Sequence, residues 1–165
     1  MTPVSHQPDL RRIGASAFTE VLATLLSLSA TVQESADDRP VSAAPDEISS
    51  SVLLTGQRLS GSVHLRLPQA FVAYSVRRLT GLDVDAWNAN ELQDDAAGEL
   101  ANMVAGRVAA RLAADGFPCS LGTPSVSRSP CLPIETEPGV DHGRTDLFCD
   151  GHWLSLKVQC RYALP

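Results

Sequence analysis

One helical stretch of the sequence carries side chains that could do chemistry on a partner molecule. Residues 90–115 are predicted to form a helix, and at about 100° per residue Asp95, Glu99 and Asn102 fall on one side of it. Glu99 and Asn102 are three residues apart, so their side chains are neighbours on the helix surface. The carboxylate can bind a cation or accept a proton, and the carboxamide can accept one hydrogen bond while it donates another.

The rest of this face has few of the charged residues that usually cover an exposed helix. Met103, Gly106 and Ala110 follow Asn102 on the same side. A glycine inside a helix costs roughly 1 kcal/mol relative to alanine, and an asparagine amide competes for backbone partners there. These residues indicate a surface that another protein approaches. The alternatives are an ordinary solvated face and, for Met103, partial burial against a neighbouring helix.

The periodicity around this helix predicts the elements that must position it. They are a helix over 11–33, a hairpin over 51–67 that turns near Gly56 to Gly61, a helix over 68–81, the helix over 90–115 and a hairpin at Asp150-Gly151. The core side of the helix over 90–115 is predicted to be Ala97, Leu100, Val104 and Val108, with Ala101 and Leu112 at its edge. We therefore expect an α+β fold in which an antiparallel β-sheet packs with about three α-helices.

Length and charge limit what such a fold could bind. A length of 165 residues is typical of a single domain, which we predict over residues 11–165. Residues 1–10 are predicted to form a flexible N-terminal tail. The net charge of −6 and pI near 5.1 argue against a nucleic-acid partner and against polybasic membrane attachment. No uninterrupted run of apolar residues approaches the length of a membrane span.

The cysteines and histidines are scattered and do not predict a metal site. A zinc site needs short spacings between its ligands, and no CxxC pair occurs. We expect ordinary thiols in a reducing cytoplasm and no cofactor bound by the chain itself. A metal-binding or redox protein that uses the cysteines is the alternative. The four cysteines are Cys119, Cys131, Cys149 and Cys160.

The pattern Asp95-x-x-x-Glu99-x-x-Asn102, followed by Pro124, resembles the signature of the CheC/CheX family of chemotaxis phosphatases. Within it, GELANMVAG (98–106) is similar to the CheX form of the motif. The flanking segments LTGQRLSGSVHLRLP (54–68) and PIETEPG (133–139) also resemble family segments, in the same order. One residue fewer separates Asn102 from Pro124 than in the family pattern, which leaves the role of Pro124 open.

The resemblance implies a function, a partner and roles for individual residues. The family hydrolyses the aspartyl phosphate of a CheY-like receiver domain, which supplies Mg²⁺ and a lysine. By resemblance, Asn102 orients the attacking water and Glu99 pairs with the receiver lysine, although Glu99 could instead be a general base. Asp95, Met103 and Gly106 would contact the docked receiver. CheX proteins are homodimers, so the resemblance also implies a dimer.

The number of sites distinguishes the subtypes of the family. CheC-type members carry the Glu/Asn pair on two helices, whereas here Glu20 in the first helix is followed by Ala23 three residues later. The chain therefore resembles a single-site CheX-like member. A non-catalytic module that binds receivers or forms dimers on the same fold is the alternative function.

Overall fold

The structure is a computed structural model and describes residues 7–33, 46–83, 89–128 and 137–163. Residues 1–6 of the predicted tail and Cys131 lie outside these ranges. The described elements are, in chain order, α1 (Leu10–Leu26), β1 (Ala30–Gln33), β2 (Glu47–Thr55), β3 (Leu59–Pro68), α2 (Gln69–Thr80), α3 (Ala89–Ala114), β4 (Ser120–Leu121), β5 (Ser125–Ser127), β6 (Asp141–Cys149) and β7 (His152–Tyr162).

The strands form one antiparallel sheet in the order β1-β6-β7-β3-β2, and both β4 and β5 pair with the remaining edge of β2. The long central pairs fix the register, with Val63 of β3 opposite Val52 of β2 on one side and Val158 of β7 on the other. Three helices and this sheet confirm the predicted α+β fold.

The core lies between one face of the sheet and the three helices. Along β3 the buried side chains alternate, with Val63, Leu65 and Leu67 fully buried, which is the pattern of a strand with one covered face. The start of α1 lies directly on β6. A Cβ atom at Gly143 would lie 2.3 Å from the backbone nitrogen of Arg11, so only glycine permits this approach.

The first predicted helix is wrong at its C-terminal end. Ser27 adopts a left-handed conformation (φ 53°), and the Leu28 amide donates to the Leu22 carbonyl at 3.1 Å, which ends α1 at Leu26. The chain then forms β1, in which Val32 lies opposite Leu147 of β6. The apolar residues have helical spacing and therefore predicted one continuous helix. Local periodicity contains no information about pairing with a strand more than 100 residues away.

The predicted turns are largely confirmed. Gly81 ends α2 with φ 70°, and Asp150 and Gly151 join β6 to β7 with φ values of 48° and 81°. Pro68 was predicted as the first helical residue, but it ends β3, and α2 begins one residue later at Gln69. Gly61 belongs to β3 and not to the turn. Within the described residues, no helix is both long and apolar enough to span a bilayer.

Candidate active site on the third helix

Helix α3 forms a large part of the core and carries the catalytic candidates. It has 26 residues, and it extends from Ala89 to Ala114, within one residue of the prediction at each end. Its sequence is rich in alanine, leucine and arginine, which favour helix. Gly116 follows with φ 90°, and its amide donates to the Ala113 carbonyl at 3.0 Å. The predicted core residues of α3 are all fully buried: Ala97, Leu100, Ala101, Val104, Val108 and Leu112.

The opposite side of α3 faces outward at the predicted positions. Asp95 and Glu99 are exposed, whereas Asn102 is half-buried. Because Glu99 and Asn102 are separated by less than one helical turn, their side chains project from neighbouring positions on the same face. The predicted carboxylate and carboxamide are therefore both accessible to a partner.

A groove of about 490 Å³ lies between this face of α3 and the segment that joins β4 to β5. On the helix side Asp95, Glu99 and Asn102 line it, and on the sheet side Pro124 lies among the lining residues. The complete lining is Asp94, Asp95, Gly98, Glu99, Asn102, Gly122, Thr123, Pro124 and Val126. The structure thus brings together three of the five predicted site residues and places Pro124 beside them.

Met103 and Gly106 are not among the lining residues of the groove. Met103 is half-buried and packs against the hydrophobic core, which was the alternative interpretation of this residue. Gly106 lies one turn farther along α3, where a Cβ atom would be 3.9 Å from Cδ1 of Leu121. Both residues therefore adjoin the groove, toward the C-terminal end of the helix.

Of the far wall of the groove, only Pro124 was named from the sequence, as the proline that follows the motif. The wall consists of Gly122, Thr123, Pro124 and Val126, which the pairing of β4 and β5 with β2 holds in place. The Gly122 amide donates to the Leu53 carbonyl at 2.9 Å. The resemblance names Pro124 but leaves its role open, and it does not place Gly122, Thr123 or Val126 against α3. Asp94, which also lines the groove, was missed because it precedes the predicted motif.

The groove is acidic. Asp94, Asp95 and Glu99 all line it. Asp94 is paired with Arg128, whose Nε donates to Oδ1 at 2.7 Å. Within the described ranges, neither Asp95 nor Glu99 takes part in an ion pair. Two of the three carboxylates therefore face the groove without a cation from the described part of this chain, which suits a positively charged group on a partner.

The described cysteines are not suited to nucleophilic chemistry. Cys119, Cys149 and Cys160 are free thiols, and Cys149 and Cys160 are buried. Burial is the main cause that raises the pKa of each thiol, for Cys160 to about 12, so these side chains remain protonated at neutral pH. Among the described residues, no three His, Cys, Asp or Glu side chains come together as metal ligands.

Comparison with solved structures identifies the same fold in several proteins. The chemotaxis protein CheX from Vibrio vulnificus is 19% identical, with a TM-score of 0.76 over 93% of this chain and 97% of that one. CheX in the CheX–CheY–BeF3–Mg complex from Borrelia burgdorferi is 17% identical, with a TM-score of 0.74 over 94% and 99%. CheX from Desulfovibrio desulfuricans is 18% identical, with a TM-score of 0.73 over 94% and 100%. At these identities the likeness establishes the fold.

Family membership rests on the sequence itself. No curated protein sequence matches the chain. The profile of the family described as "Chemotaxis phosphatase CheX" matches residues 48–143, a segment that includes β2, β3, α2, α3 and the groove wall. Since this segment is more than half of the 165 residues, the chain belongs to the CheX family of chemotaxis phosphatases.

Proposed function

We propose that the chain hydrolyses the aspartyl phosphate of a CheY-like receiver domain that docks on the groove. The observation that carries this proposal is the position of Glu99 and Asn102, which are less than one helical turn apart and line the same open groove. Asn102 is proposed to orient the attacking water, and Glu99 to pair with the lysine of the receiver. The family to which the chain belongs supports a phosphatase role for CheY-like receivers.

Hydrolysis of an acyl phosphate needs few catalytic groups from the enzyme. Phosphoryl transfer depends on positioning and on stabilisation of charge, and an amide can hold a water in line with the phosphorus. The Asn102 oxygen can accept from that water while its nitrogen donates elsewhere. Asn102 is half-buried and lines the groove, so its carboxamide is accessible to a water held between this chain and a docked receiver.

Mg²⁺ is expected on the receiver and not on this chain. The CheX–CheY complex from Borrelia burgdorferi was crystallised with BeF3 and Mg²⁺, and we extend that partner and that ion to this protein. When bound to the receiver, Mg²⁺ would neutralise charge on the phosphoryl group. The residues of this chain would then contribute the docking surface and the orientation of the water.

Glu99 is available to form the proposed ion pair with the lysine of the receiver. It is exposed, it lines the groove, and none of the ion pairs of the described residues includes it. Asp95, one turn before Glu99, adds negative charge at the same wall. Met103 and Gly106 extend the surface beyond Asn102, and the small Gly106 allows close approach of a partner backbone. These three residues are proposed to contact the docked receiver.

The direct test of the catalytic role is Asn102→Ala. We expect turnover of a phosphorylated cognate receiver to fall by roughly 100-fold or more, because the water loses its positioning group. Docking and folding should be retained, since Asn102 is only half-buried. The measurement is phosphate release at saturating receiver, together with the Kd for the beryllofluoride form of the receiver.

The matched control is Gln57→Ala, which removes an exposed carboxamide that does not line the groove. This control variant should keep wild-type turnover. Turnover by Asn102→Ala within a few-fold of wild type would exclude Asn102 as the residue that positions the water.

A further inference from the structure

The far wall of the groove is a weak structural element by itself. β4 has two residues and β5 has three, and both lie at the edge of the sheet. Such short edge strands contribute few ladder hydrogen bonds and open readily. Pairing with β2 positions the wall relative to the sheet, and contacts with α3 help to fix its distance from that helix. That distance sets the width of the groove.

Arg128 joins the wall to the N-terminal part of α3. It follows β5 directly, and its guanidinium makes three hydrogen bonds to residues of α3. Nε donates to Oδ1 of Asp94 at 2.7 Å, and Nη2 donates to Oε1 of Gln93 at 3.1 Å and to the Asn90 carbonyl at 3.0 Å. Gln93 is only 4% exposed, so one of these acceptors is a fixed part of the core.

The surrounding geometry shows that the wall and the helix are in close contact at this point. A Cβ atom at Gly98 would lie 3.5 Å from Cγ2 of Val126 and 3.7 Å from Cβ of Pro124. Arg128 continues this contact toward the start of α3. A guanidinium presents several donors in a rigid plane, which fixes direction as well as distance. A loss of Arg128 would remove three hydrogen bonds that join the end of β5 to α3.

Arg128 also offsets part of the negative charge of the groove. Asp94 lines the groove beside Asp95 and Glu99, and the Arg128 guanidinium neutralises it. The side chains of Arg128 and Asp94 are 29% and 42% exposed, so the pair lies at the surface of the groove.

We propose that Arg128 is a positioning residue that holds the Gly122–Val126 wall against α3. It thereby sets the width of the groove in which the receiver docks. This inference rests on the function proposed above. It assigns a role in docking and none in the chemical step, because Arg128 is not among the residues that line the groove.

The experiment compares Arg128→Ala, Arg128→Lys and the control Arg161→Ala, which removes an exposed ion pair with Glu137 outside the groove. Hydrogen exchange of the Ser125–Ser127 amides and the Kd for the Mg²⁺–beryllofluoride form of the cognate receiver are measured for each. We expect Arg128→Ala to speed exchange in β5 and to weaken Kd by about fivefold, the order expected when a partly exposed ion pair within the chain is lost. Arg128→Lys should give an intermediate value, and Arg161→Ala should match wild type.

Kinetics separate positioning from a general loss of structure. Arg128→Ala should raise KM for the phosphorylated receiver and leave kcat within about twofold. The double variant Asp94→Asn/Arg128→Ala should bind as weakly as Arg128→Ala. Unchanged exchange in β5, unchanged Kd, or recovery of binding in the double variant would overturn the inference. Absence of hydrolysis by wild type, with the effects on Kd and exchange intact, would overturn the proposed phosphatase activity alone.

Discussion

Two glutamates on neighbouring helices have opposite surroundings. Glu20 on α1 accepts from Nη2 of Arg111 at 2.6 Å and lies 3.3 Å from Nη1 of Arg107, both on α3. Glu99 on α3 lines the groove, and no ion pair among the described residues includes it. One helix, α3, therefore supplies cations to Glu20 on one side, and on another it presents a carboxylate that has no cation partner among the described residues.

Glu20 contributes to the fold, whereas Glu99 is the carboxylate that we propose for a partner. The hydrogen bond from Arg111 lowers the pKa of Glu20 below its ordinary value of 4.5, burial opposes this, and Arg107 adds to it. The charge of Glu20 is therefore already used within the chain, where it joins α1 to α3. The residues three positions after the two glutamates also differ. Ala23 follows Glu20 and has no polar group, whereas Asn102 follows Glu99 and carries a carboxamide. The Glu/Asn pattern therefore occurs on α3 and not on α1.

Glu99→Gln should have the largest effect in this comparison. If Glu99 anchors the receiver lysine, KM for the phosphorylated receiver rises about tenfold, the order of one lost charge-assisted interaction, and kcat changes little. A general-base role would instead lower kcat by roughly 10²–10⁴-fold. Steady-state phosphate release over a range of receiver concentrations distinguishes the two. A drop in kcat without a change in KM would contradict the anchoring role.

The space around the glycines of α1 and α3 also differs, and Gly106→Ala tests the consequence for stability. A Cβ atom at Gly14 of α1 would lie 2.9 Å from Cδ2 of Leu156, whereas one at Gly106 would meet Cδ1 of Leu121 at an ordinary 3.9 Å. Gly106→Ala should therefore stabilise the fold by roughly 0.5–1 kcal/mol. Urea unfolding measures this, and Ala110→Gly, on the same face, should destabilise by a similar amount. Destabilisation by Gly106→Ala would show that the fold itself requires this glycine.

Glu20→Gln should have the smallest effect, and one that depends on pH. Because the pKa of Glu20 is lowered in the folded state, its ionised form stabilises the fold above its ordinary value of 4.5, and this contribution is lost as the pH falls through the lowered pKa. The stability difference between wild type and Glu20→Gln in urea unfolding should therefore shrink between about pH 7 and pH 3. Phosphate release at neutral pH should be unchanged. A loss of activity as large as that of Glu99→Gln would contradict the assignment of Glu20 to the fold.

Much of the fold and the helical half of the site could be predicted from the sequence. The predicted core stripe of α3 is buried from Ala97 to Leu112, and Glu99 and Asn102 lie on the outward side because helical periodicity places them there. The Asp150-Gly151 turn could also be predicted from local sequence. A turn with two successive residues of positive φ favours this dipeptide.

The other half of the site depends on contacts that no local pattern contains. Arg128 meets Asp94 across 34 positions of sequence, and the wall between β4 and β5 is defined by its pairing with β2. Strands of two or three residues are too short to show alternation. The same limit explains why β1 was predicted as helix, because its identity as a strand depends on β6.

We propose that this chain dephosphorylates a receiver through the outward face of α3. The most direct measurement is the rate of aspartyl-phosphate loss from each phosphorylated receiver of the host, with and without the purified chain. We predict that at least one receiver loses phosphate at a rate that rises in proportion to the concentration of the chain. A receiver that binds the groove in its beryllofluoride form, and yet loses phosphate no faster in the presence of the chain, would contradict the account.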